Sequence, residues 1–252
     1  MKSIFIVGTA GAGKSLLTSR IGEYYARNGA FAAALNLDPG AEELPYACEI
    51  DVRDYVDIST IMKQYELGPN GALVMASDLI ASKIGEIRRR VEEVNPDYLL
   101  VDTPGQIELF AYRTSGPFIA GNLSQEERMS VFLYDGALIS SPVNFVSVSM
   151  LAASIRLRLD LPSVSVLTKS DLVGDRLGEI MNWSSDPDSL AEAISREADG
   201  ETYSLATSML RGLDFGGMVG GLVPISNTTG DGLDVLGGEL SRAINLGEEV
   251  ED

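Results

Sequence analysis

One segment near the start of the chain constrains its fold more than any other: Gly8-Thr9-Ala10-Gly11-Ala12-Gly13-Lys14-Ser15. It matches G-x-x-x-x-G-K-[ST] and lies between an apolar, β-favouring run at residues 3–7 and a helical pattern. Its glycines let the backbone N–H groups point inward at a polyphosphate, and the helix N-terminus adds positive partial charge. Lys14 would reach the β- and γ-phosphates, and the Ser15 hydroxyl would bind Mg²⁺. A glycine-rich turn that matches by chance is the alternative. The strand–loop–helix order favours a nucleotide-phosphate site extending to Leu16.

The composition excludes several kinds of function. The formal net charge of −18 argues against binding to bare nucleic acid or to anionic membranes as the main task. Histidine is absent, which removes Ser/His and Cys/His nucleophilic schemes. Cys48 is the only cysteine, so we interpret it as a small buried hydrophobe rather than part of a disulfide or zinc site.

The chain is expected to act in the cytoplasm. A strand begins at the N-terminus, which leaves no room for a signal peptide. No apolar run approaches the ~20 residues that cross a bilayer. The acidic residues at 248–252 are interpreted as a solvated end.

Predicted strands alternate with predicted helices along the chain. The strands are expected near residues 31–37, 97–102, 129–134, 163–168 and 223–225, and the helices near 15–28, 72–94, 143–159 and 232–245. This alternation predicts a three-layer α/β/α fold of the P-loop NTPase type, with a mostly parallel central sheet. We expect residues 1–252 to form one domain, with a helical insertion before the last strand at about 172–222.

Three further regions are interpreted as follows, with alternatives where the pattern allows more than one structure. Gly68-Pro69-Asn70-Gly71 is predicted as a loop at about 67–72, and an ordinary turn capping the next helix is the alternative. The run Arg88-Arg89-Arg90 is interpreted as a solvated helix face. In the insertion, an apolar series predicts core packing, with a groove for a client peptide as the alternative. The series comprises Met209, Leu210, Leu213, Phe215, Met218 and Val219.

A second phosphate-side motif follows a buried strand: Asp102-Thr103-Pro104-Gly105-Gln106. A carboxylate at Asp102 can hold Mg²⁺, directly or through water, and the Gly105 amide can meet a γ-phosphate. Gln106 follows that glycine, where glutamines in nucleotide hydrolases orient water. The alternatives are an Asp102 that caps a helix and a Gln106 that is a surface amide.

Thr168-Lys169-Ser170-Asp171 follows the next strand and indicates the base. The Asp171 carboxylate can accept hydrogen bonds from guanine N1–H and its N2 amine, a pair that adenine lacks. The Lys169 stem can pack over the base plane. Farther on, Ser226-Asn227 lies where a backbone N–H contacts guanine O6.

Together these residues resemble the motifs of GTPases, and specifically the GPN-loop GTPases, whose signature insertion Gly68-Pro69-Asn70 matches. Surrounding segments agree with that family. They are Leu35-Asn36-Leu37-Asp38-Pro39-Gly40, Glu43-Leu44-Pro45-Tyr46, Ile50-Asp51-Val52-Arg53 and the Asp102–Gln106 motif. The resemblance covers nearly the whole chain and is closest to the compact, homodimeric type.

The resemblance implies specific roles. GTP or GDP and Mg²⁺ would bind at Gly8–Ser15, with Ser15 on the metal. Asp38 would lie near the metal and the attacking water, as in the dimerising signal-recognition/MinD class. Asp102 and Gln106 would organise Mg²⁺ and water, while Asn70 would reach the γ-phosphate of a second subunit.

The resemblance also implies a partner and shows two departures. Eukaryotic members are associated with assembly of RNA polymerase, so a protein client is expected. Thr168 stands where the family usually has Asn, and Asn227 where Ala is usual.

The absence of histidine and of an evident arginine finger predicts slow hydrolysis, suited to a conformational switch. A MinD-like ATPase and a nucleotide-gated scaffold with negligible hydrolysis are the alternatives.

Overall fold

The structure is a computed structural model that describes residues 1–124, 126–215 and 221–245, without the side chains of residues 214, 215 and 245. Three sequence expectations therefore lie outside the described residues: the placement of Met218 and Val219, the side-chain packing of Phe215, and the acidic end at 248–252.

A seven-stranded sheet forms the middle layer, with the order β3-β2-β4-β1-β5-β6-β7. Every paired strand in it is parallel. The strands are β1 (Lys2–Gly8), β2 (Ala32–Asn36), β3 (Ile50–Asp51), β4 (Tyr98–Asp102), β5 (Arg128–Asp135), β6 (Ser163–Thr168) and β7 (Val223–Pro224). Because the strands are parallel, their carboxyl ends and the loops that follow them meet at one edge of the sheet.

The helices connect these strands. They are α1 (Lys14–Arg27), α2 (Ile58–Gln64), α3 (Pro69–Ser82), α4 (Ile84–Val94), α5 (Ile107–Ala111), α6 (Ser115–Asn122), α7 (Pro142–Leu159), α8 (Ser170–Val173), α9 (Leu177–Ser185), α10 (Pro187–Glu197), α11 (Gly200–Phe215) and α12 (Leu233–Asn245). Short 3₁₀ turns lie at Val52–Asp54 and Gly174–Arg176. None of the helices in the described ranges is long and apolar enough to cross a membrane.

The sheet separates two hydrophobic cores, as its side-chain alternation requires. Ile4 and Ile6 of β1 join the core beneath α1 and α12. Phe5 and Val7 face the larger core, which most of the remaining helices cover. The three-layer α/β/α prediction is therefore confirmed.

The expectation of a loop at 67–72 is wrong, because α3 begins at Pro69. Gly68 is the extended N-cap, with φ −71° and ψ 169°, and Pro69 is the first helical residue. Proline suits that position because its fixed φ matches a helix and its missing N–H would have no partner there. Asn70 therefore lies in the first turn of a helix.

The single helix expected at 72–94 is instead two helices that meet at Lys83. The Lys83 N–H donates to Leu79 O and Ile80 O, while its own carbonyl accepts from Glu86 and Ile87. Buried residues continue on both sides of the break, including Ile80 and Ile84. Apolar spacing alone therefore could not reveal it.

The insertion before β7 is helical as expected, but it contains the 16-residue α11 and not only short helices. Leu210 and Leu213 of α11 are buried and belong to the same core as Trp183. Core packing is thus confirmed for these leucines. Helices α5 and α6, between β4 and β5, were not anticipated.

Candidate functional site

The phosphate loop joins β1 to α1 in a tightly folded turn. Gly11 and Gly13 adopt left-handed backbone conformations, with φ of +77° and +91°, that other residues rarely accept. Gly8 lies against β5, since a Cβ placed on it would be 3.0 Å from the Leu133 Cβ. Ala10 and Gly11 are exposed at the mouth of the loop. The glycines expected from the motif are therefore required by the local geometry.

Lys14 is buried beneath this loop, with 6% of its surface exposed. Its Nζ donates to Gly8 O and Thr9 O, both at 3.0 Å. Burial lowers the pKa of Lys14, and the nearby charges of Asp102 and Asp38 oppose that shift. An ammonium group held in this way can exchange carbonyl oxygens for phosphate oxygens, which are stronger partners for a cation.

Asp102 ends β4 beside Lys14 and is 2% exposed. Its Oδ2 accepts a hydrogen bond from the Tyr46 hydroxyl at 2.9 Å. Its Oδ1 is buried and has no hydrogen-bond partner within the described ranges. Burial raises the pKa of Asp102, while the Ser15 and Tyr46 hydroxyls and the Lys14 charge oppose the shift. A buried carboxylate oxygen without a partner is a position that a cation or its water would satisfy.

Asp38 connects the loops that follow β2 and β4. Its Oδ2 accepts from the Gly105 N–H at 3.1 Å, and its Oδ1 accepts from the Gly40 N–H at 2.9 Å. The fully buried Asn36 fixes the backbone of Asp38 by accepting from its N–H and donating to its carbonyl oxygen. The structure therefore brings Asp38, Gly105, Asp102 and Lys14 together.

An ion pair at the end of β3 holds the other side of the Asp38 loop. Arg53 contacts both carboxylate oxygens of Asp51, and its Nη1 donates to Ala41 O and Glu42 O. Asp51 also accepts from the Asn36 side chain at 3.0 Å. Burial raises the pKa of Asp51, but hydrogen bonds from Arg53 and Asn36 outweigh it, so the net pKa is lowered.

Sequence reasoning assigned no role to Asn36, Tyr46, Asp51 or Arg53. Their signals were a polar residue ending the buried strand β2, a Pro-Tyr pair in a polar loop, and an Asp-x-Arg spacing after β3. Each signal was too short to carry an assignment alone, and some of the decisive partners are distant in the chain: Asp102 is 56 residues from Tyr46, and Ala41 is 12 residues from Arg53.

The residues at this end fit a magnesium ion bound together with a nucleotide. The described residues contain no group of three His, Cys, Asp or Glu side chains that could hold a metal ion. Mg²⁺ commonly takes one or two protein oxygens and completes its shell with waters and phosphate oxygens. The Ser15 hydroxyl and the Asp102 carboxylate are suited to supply these protein oxygens, with the half-buried Asp38 at the edge of the site.

The base-side motifs form a second cluster along the same sheet edge. Ser170 N–H donates to Ile225 O at 3.1 Å, which joins the loop after β6 to the loop after β7. Lys169 has a φ of +56°, and its Nζ forms a 2.7 Å ion pair with Asp135 Oδ2, a partner that sequence reasoning missed. Asp171 is exposed in the first turn of α8.

Two predicted catalytic residues are not joined to the phosphate-side cluster. Gln106 is the half-buried N-cap of α5, and Asn70 is exposed. No hydrogen bond or ion pair involves either side chain in the part of the chain that the structure describes. Helix α3 nevertheless lies beside the Asp38 loop, since a Cβ at Gly40 would be 3.2 Å from Leu73 Cδ2.

A glycine-rich phosphate loop between β1 and α1, with one carboxylate in the loop after β2 and another at the end of β4, defines a P-loop nucleotide-binding protein. The model of a family described as "Conserved hypothetical ATP binding protein" matches residues 6–245. A GPN-loop GTPase 3 from Eremothecium gossypii is 30% identical over 86% of this chain and 82% of its own length. The chain belongs to the GPN-loop GTPase family.

Other relatives agree with that membership. GPN-loop GTPase 1 from Dictyostelium discoideum is 35% identical over 77% of this chain and 50% of its own length. The GPN-loop GTPase 1 of Saccharomyces cerevisiae is 31% identical over 93% of this chain and 63% of its own. The chain thus spans one half to two thirds of these longer relatives. The crystal structure of an apo-form GTPase from Pyrococcus abyssi has a TM-score of 0.83 and 29% identity, covering 96% of this chain and 97% of that one.

Proposed function

We propose that this protein is a Mg²⁺-dependent molecular switch that binds and hydrolyses GTP. The observation that carries the proposal is the buried Lys14 beneath the Gly8–Ser15 loop, with Asp102 and Asp38 close enough to influence its charge. Amides of the loop, together with Lys14, would bind the β- and γ-phosphates from Gly8 through Leu16. When bound, Mg²⁺ would neutralise phosphate charge that develops during hydrolysis.

In this proposal the chain's own residues position the attacking water. Asp38 and Gln106 flank Gly105, whose N–H lies 3.1 Å from Asp38 Oδ2. A phosphate oxygen that takes the Gly105 N–H would release Asp38 Oδ2 to accept a hydrogen bond from water. Positioning without a cationic finger gives a modest acceleration, so we expect slow turnover.

Guanine is the proposed base. Asp171 is exposed at the start of α8, beside the loop that carries Ser226 and Asn227. Its carboxylate can accept from both N1–H and the N2 amine of guanine, whereas adenine does not present that pair of donors. The relatives named as GTPases agree with this choice, although the family description refers to ATP.

We further propose that residues 1–252 act as one domain in a cytoplasmic homodimer. Asn70 is exposed, and its helix lies beside the Asp38 loop of its own chain. In a dimer that faces these edges toward each other, Asn70 would donate a hydrogen bond near the γ-phosphate of the second subunit. A change of nucleotide would then change the packing of the two subunits, which suits the assembly of a protein client.

The test measures phosphate release from GTP by the purified protein, with excess ATP as competitor. We expect release well below the ~10 s⁻¹ typical of enzymes, abolished by chelation of Mg²⁺ and unaffected by ATP. Asp171→Asn should weaken GDP binding about 100-fold because it removes two charge-assisted hydrogen bonds. Asp175→Asn is the matched control, since Asp175 is exposed in the 3₁₀ turn that follows.

Other outcomes would select the alternatives. Inhibition by ATP as strong as that by GDP would favour a MinD-like ATPase. Tight GTP binding without phosphate release would favour a nucleotide-gated scaffold that signals by occupancy alone.

A further inference from the structure

The Thr168 hydroxyl is fully committed to the protein. Thr168 has no exposed surface, and its Oγ1 lies 2.9 Å from Ala12 O and 3.2 Å from Tyr134 O. A hydroxyl has one hydrogen to donate, and these carbonyls share it. Thr168 therefore ties the phosphate loop to β5 and has no donor left for a ligand.

Asn227 contacts the next carbonyl of the same loop. Its Nδ2 lies 3.4 Å from Gly13 O, and a Cβ placed on Gly13 would be 3.3 Å from that nitrogen. Asn227 is 6% exposed, and its Oδ1 is buried without a hydrogen-bond partner in the described ranges. A side-chain amide has two N–H donors, and only one can point at Gly13 O. One donor therefore remains beside the phosphate loop.

The backbone around Asn227 is held in place from both sides. Arg20 Nε donates to Asn227 O at 2.9 Å, and Ser226 Oγ accepts from the Thr229 N–H at 3.1 Å. The preceding Ile225 accepts from Ser170, next to Asp171. The Asn227 amide therefore lies between the phosphate loop and the segment that carries Asp171, where the proposed guanine would bind.

We propose that the Asn227 side chain, through Nδ2, donates a hydrogen bond to N7 of guanine and so helps to hold the base whose identity Asp171 reads. This inference rests on the proposed function. Guanine presents N7 and O6 as neighbouring acceptors, while its N1–H and N2 donors face Asp171. The backbone N–H of Asn227 then serves O6. The amide that Thr168 cannot supply thus comes from the loop after β7.

The test compares GDP with 7-deaza-GDP, which replaces N7 by a C–H group and keeps O6, N1 and N2. Dissociation constants are measured by calorimetry on the full chain. Wild type should bind 7-deaza-GDP about 10-fold more weakly, the effect of one hydrogen bond. Asn227→Ala should bind GDP about 10-fold more weakly than wild type and should bind both nucleotides equally.

A matched control and a second variant keep the test decisive. Asn182→Ala alters an exposed asparagine of α9 and should keep the wild-type preference for GDP. Asn227→Thr also removes the carboxamide but retains more of the asparagine side-chain volume than alanine does. The same measurements are made on this variant if Asn227→Ala does not fold.

The proposal is overturned if wild type binds both nucleotides equally, or if a folded Asn227 variant retains the 10-fold preference. Equal weakening of both nucleotides by Asn227→Ala, with the preference unchanged, would mean that Asn227 only supports the Gly13 carbonyl. Failure of wild type to bind any guanine nucleotide would instead overturn the proposed function, and this inference with it.

Discussion

The phosphate side of the site and the start of α3 are built in opposite ways. On the phosphate side, Lys14 is 6% exposed and Asp102 is 2% exposed, and both make hydrogen bonds within the chain. At the start of α3, Gly68, Pro69 and Asn70 are all exposed. The first region is organised by its own chain, whereas the second presents its polar group outward. A site that uses both regions therefore requires a further contact, one that brings an exposed Asn70 to a phosphate loop.

This contrast has an energetic basis. The acceptors of Lys14 are Gly8 O and Thr9 O at 3.0 Å, so the ammonium group is already desolvated and directed before phosphate arrives. Little reorganisation is needed on binding, which favours affinity. Asn70 is held in place only as part of helix α3. Its contribution to nucleotide binding or hydrolysis therefore depends on the surface that α3 contacts.

The largest expected effect is that of Lys14→Ala. The variant removes the buried cation facing the phosphates, and each lost charge-assisted hydrogen bond contributes about 1.5–3 kcal/mol. Affinity for GDP and GTP should fall about 100-fold or more, as measured by calorimetry. Lys63→Ala, at an exposed lysine of α2, is the control and should bind as wild type does. Affinities within threefold of wild type would remove Lys14 from the phosphate site.

Asn70→Ala tests the exposed start of α3. Hydrolysis should fall about 10- to 100-fold, because one donor near the γ-phosphate is lost, while GDP affinity should stay within twofold. Gln64→Ala, at an exposed amide near the end of α2, should leave both quantities unchanged. Parallel loss of GDP affinity and turnover would show that Asn70 has a structural role only.

Mixing the Lys14→Ala and Asn70→Ala proteins decides where Asn70 acts. If Asn70 serves the other subunit, a mixed dimer has one complete site, formed by Lys14 of one chain and Asn70 of the other. Random exchange should then restore roughly a quarter of wild-type turnover, since half of the dimers are mixed and each has one working site. No recovery, with mixed dimers demonstrated, would place Asn70 in its own chain's site.

The sequence predicted the fold because its signals are local and mutually consistent. The apolar, β-favouring run of β1 and the glycine-rich turn before α1 each specify their own structure. The break at Lys83 escaped prediction because the apolar spacing runs through it, and the start of α3 at Pro69 escaped because Gly-Pro-Asn-Gly also suits a turn.

The site was predictable where one short motif carries a function and was not where distant residues cooperate. Lys14 and Asp102 were found by their position in motifs and Asp38 through the family resemblance, and the structure brings the three together. Tyr46 and Arg53 were not found, because a Tyr–carboxylate hydrogen bond or a contact to a loop carbonyl leaves no spacing rule in the sequence.

The smallest expected effect concerns the link between the two regions. Arg53 holds the 38–42 loop through Ala41 O and Glu42 O, and it lies on the chain between that loop and α2 and α3. Arg53→Gln should lower the free energy of unfolding by about 1–2 kcal/mol at pH 7, a range reduced for the partial exposure of the ion pair. Arg90→Gln, at an exposed ion pair of α4, should cost at most about 0.5 kcal/mol.

The pH dependence of the stability lost in Arg53→Gln identifies which interaction of Arg53 provides that stability. Hydrogen bonds from Arg53 and Asn36 keep the pKa of Asp51 below its ordinary value despite burial. A carboxylate with a lowered pKa in the folded state stabilises the protein above its unfolded pKa of about 4, and this contribution is lost as pH falls through the folded value. The difference between wild type and Arg53→Gln, measured by urea unfolding, should therefore be constant from pH 7 to about 5 and shrink below about pH 4. A difference that persists in acid would assign the stabilisation to the bonds from Arg53 to the loop carbonyls, so the Asp38 loop would be held without the Asp51 charge.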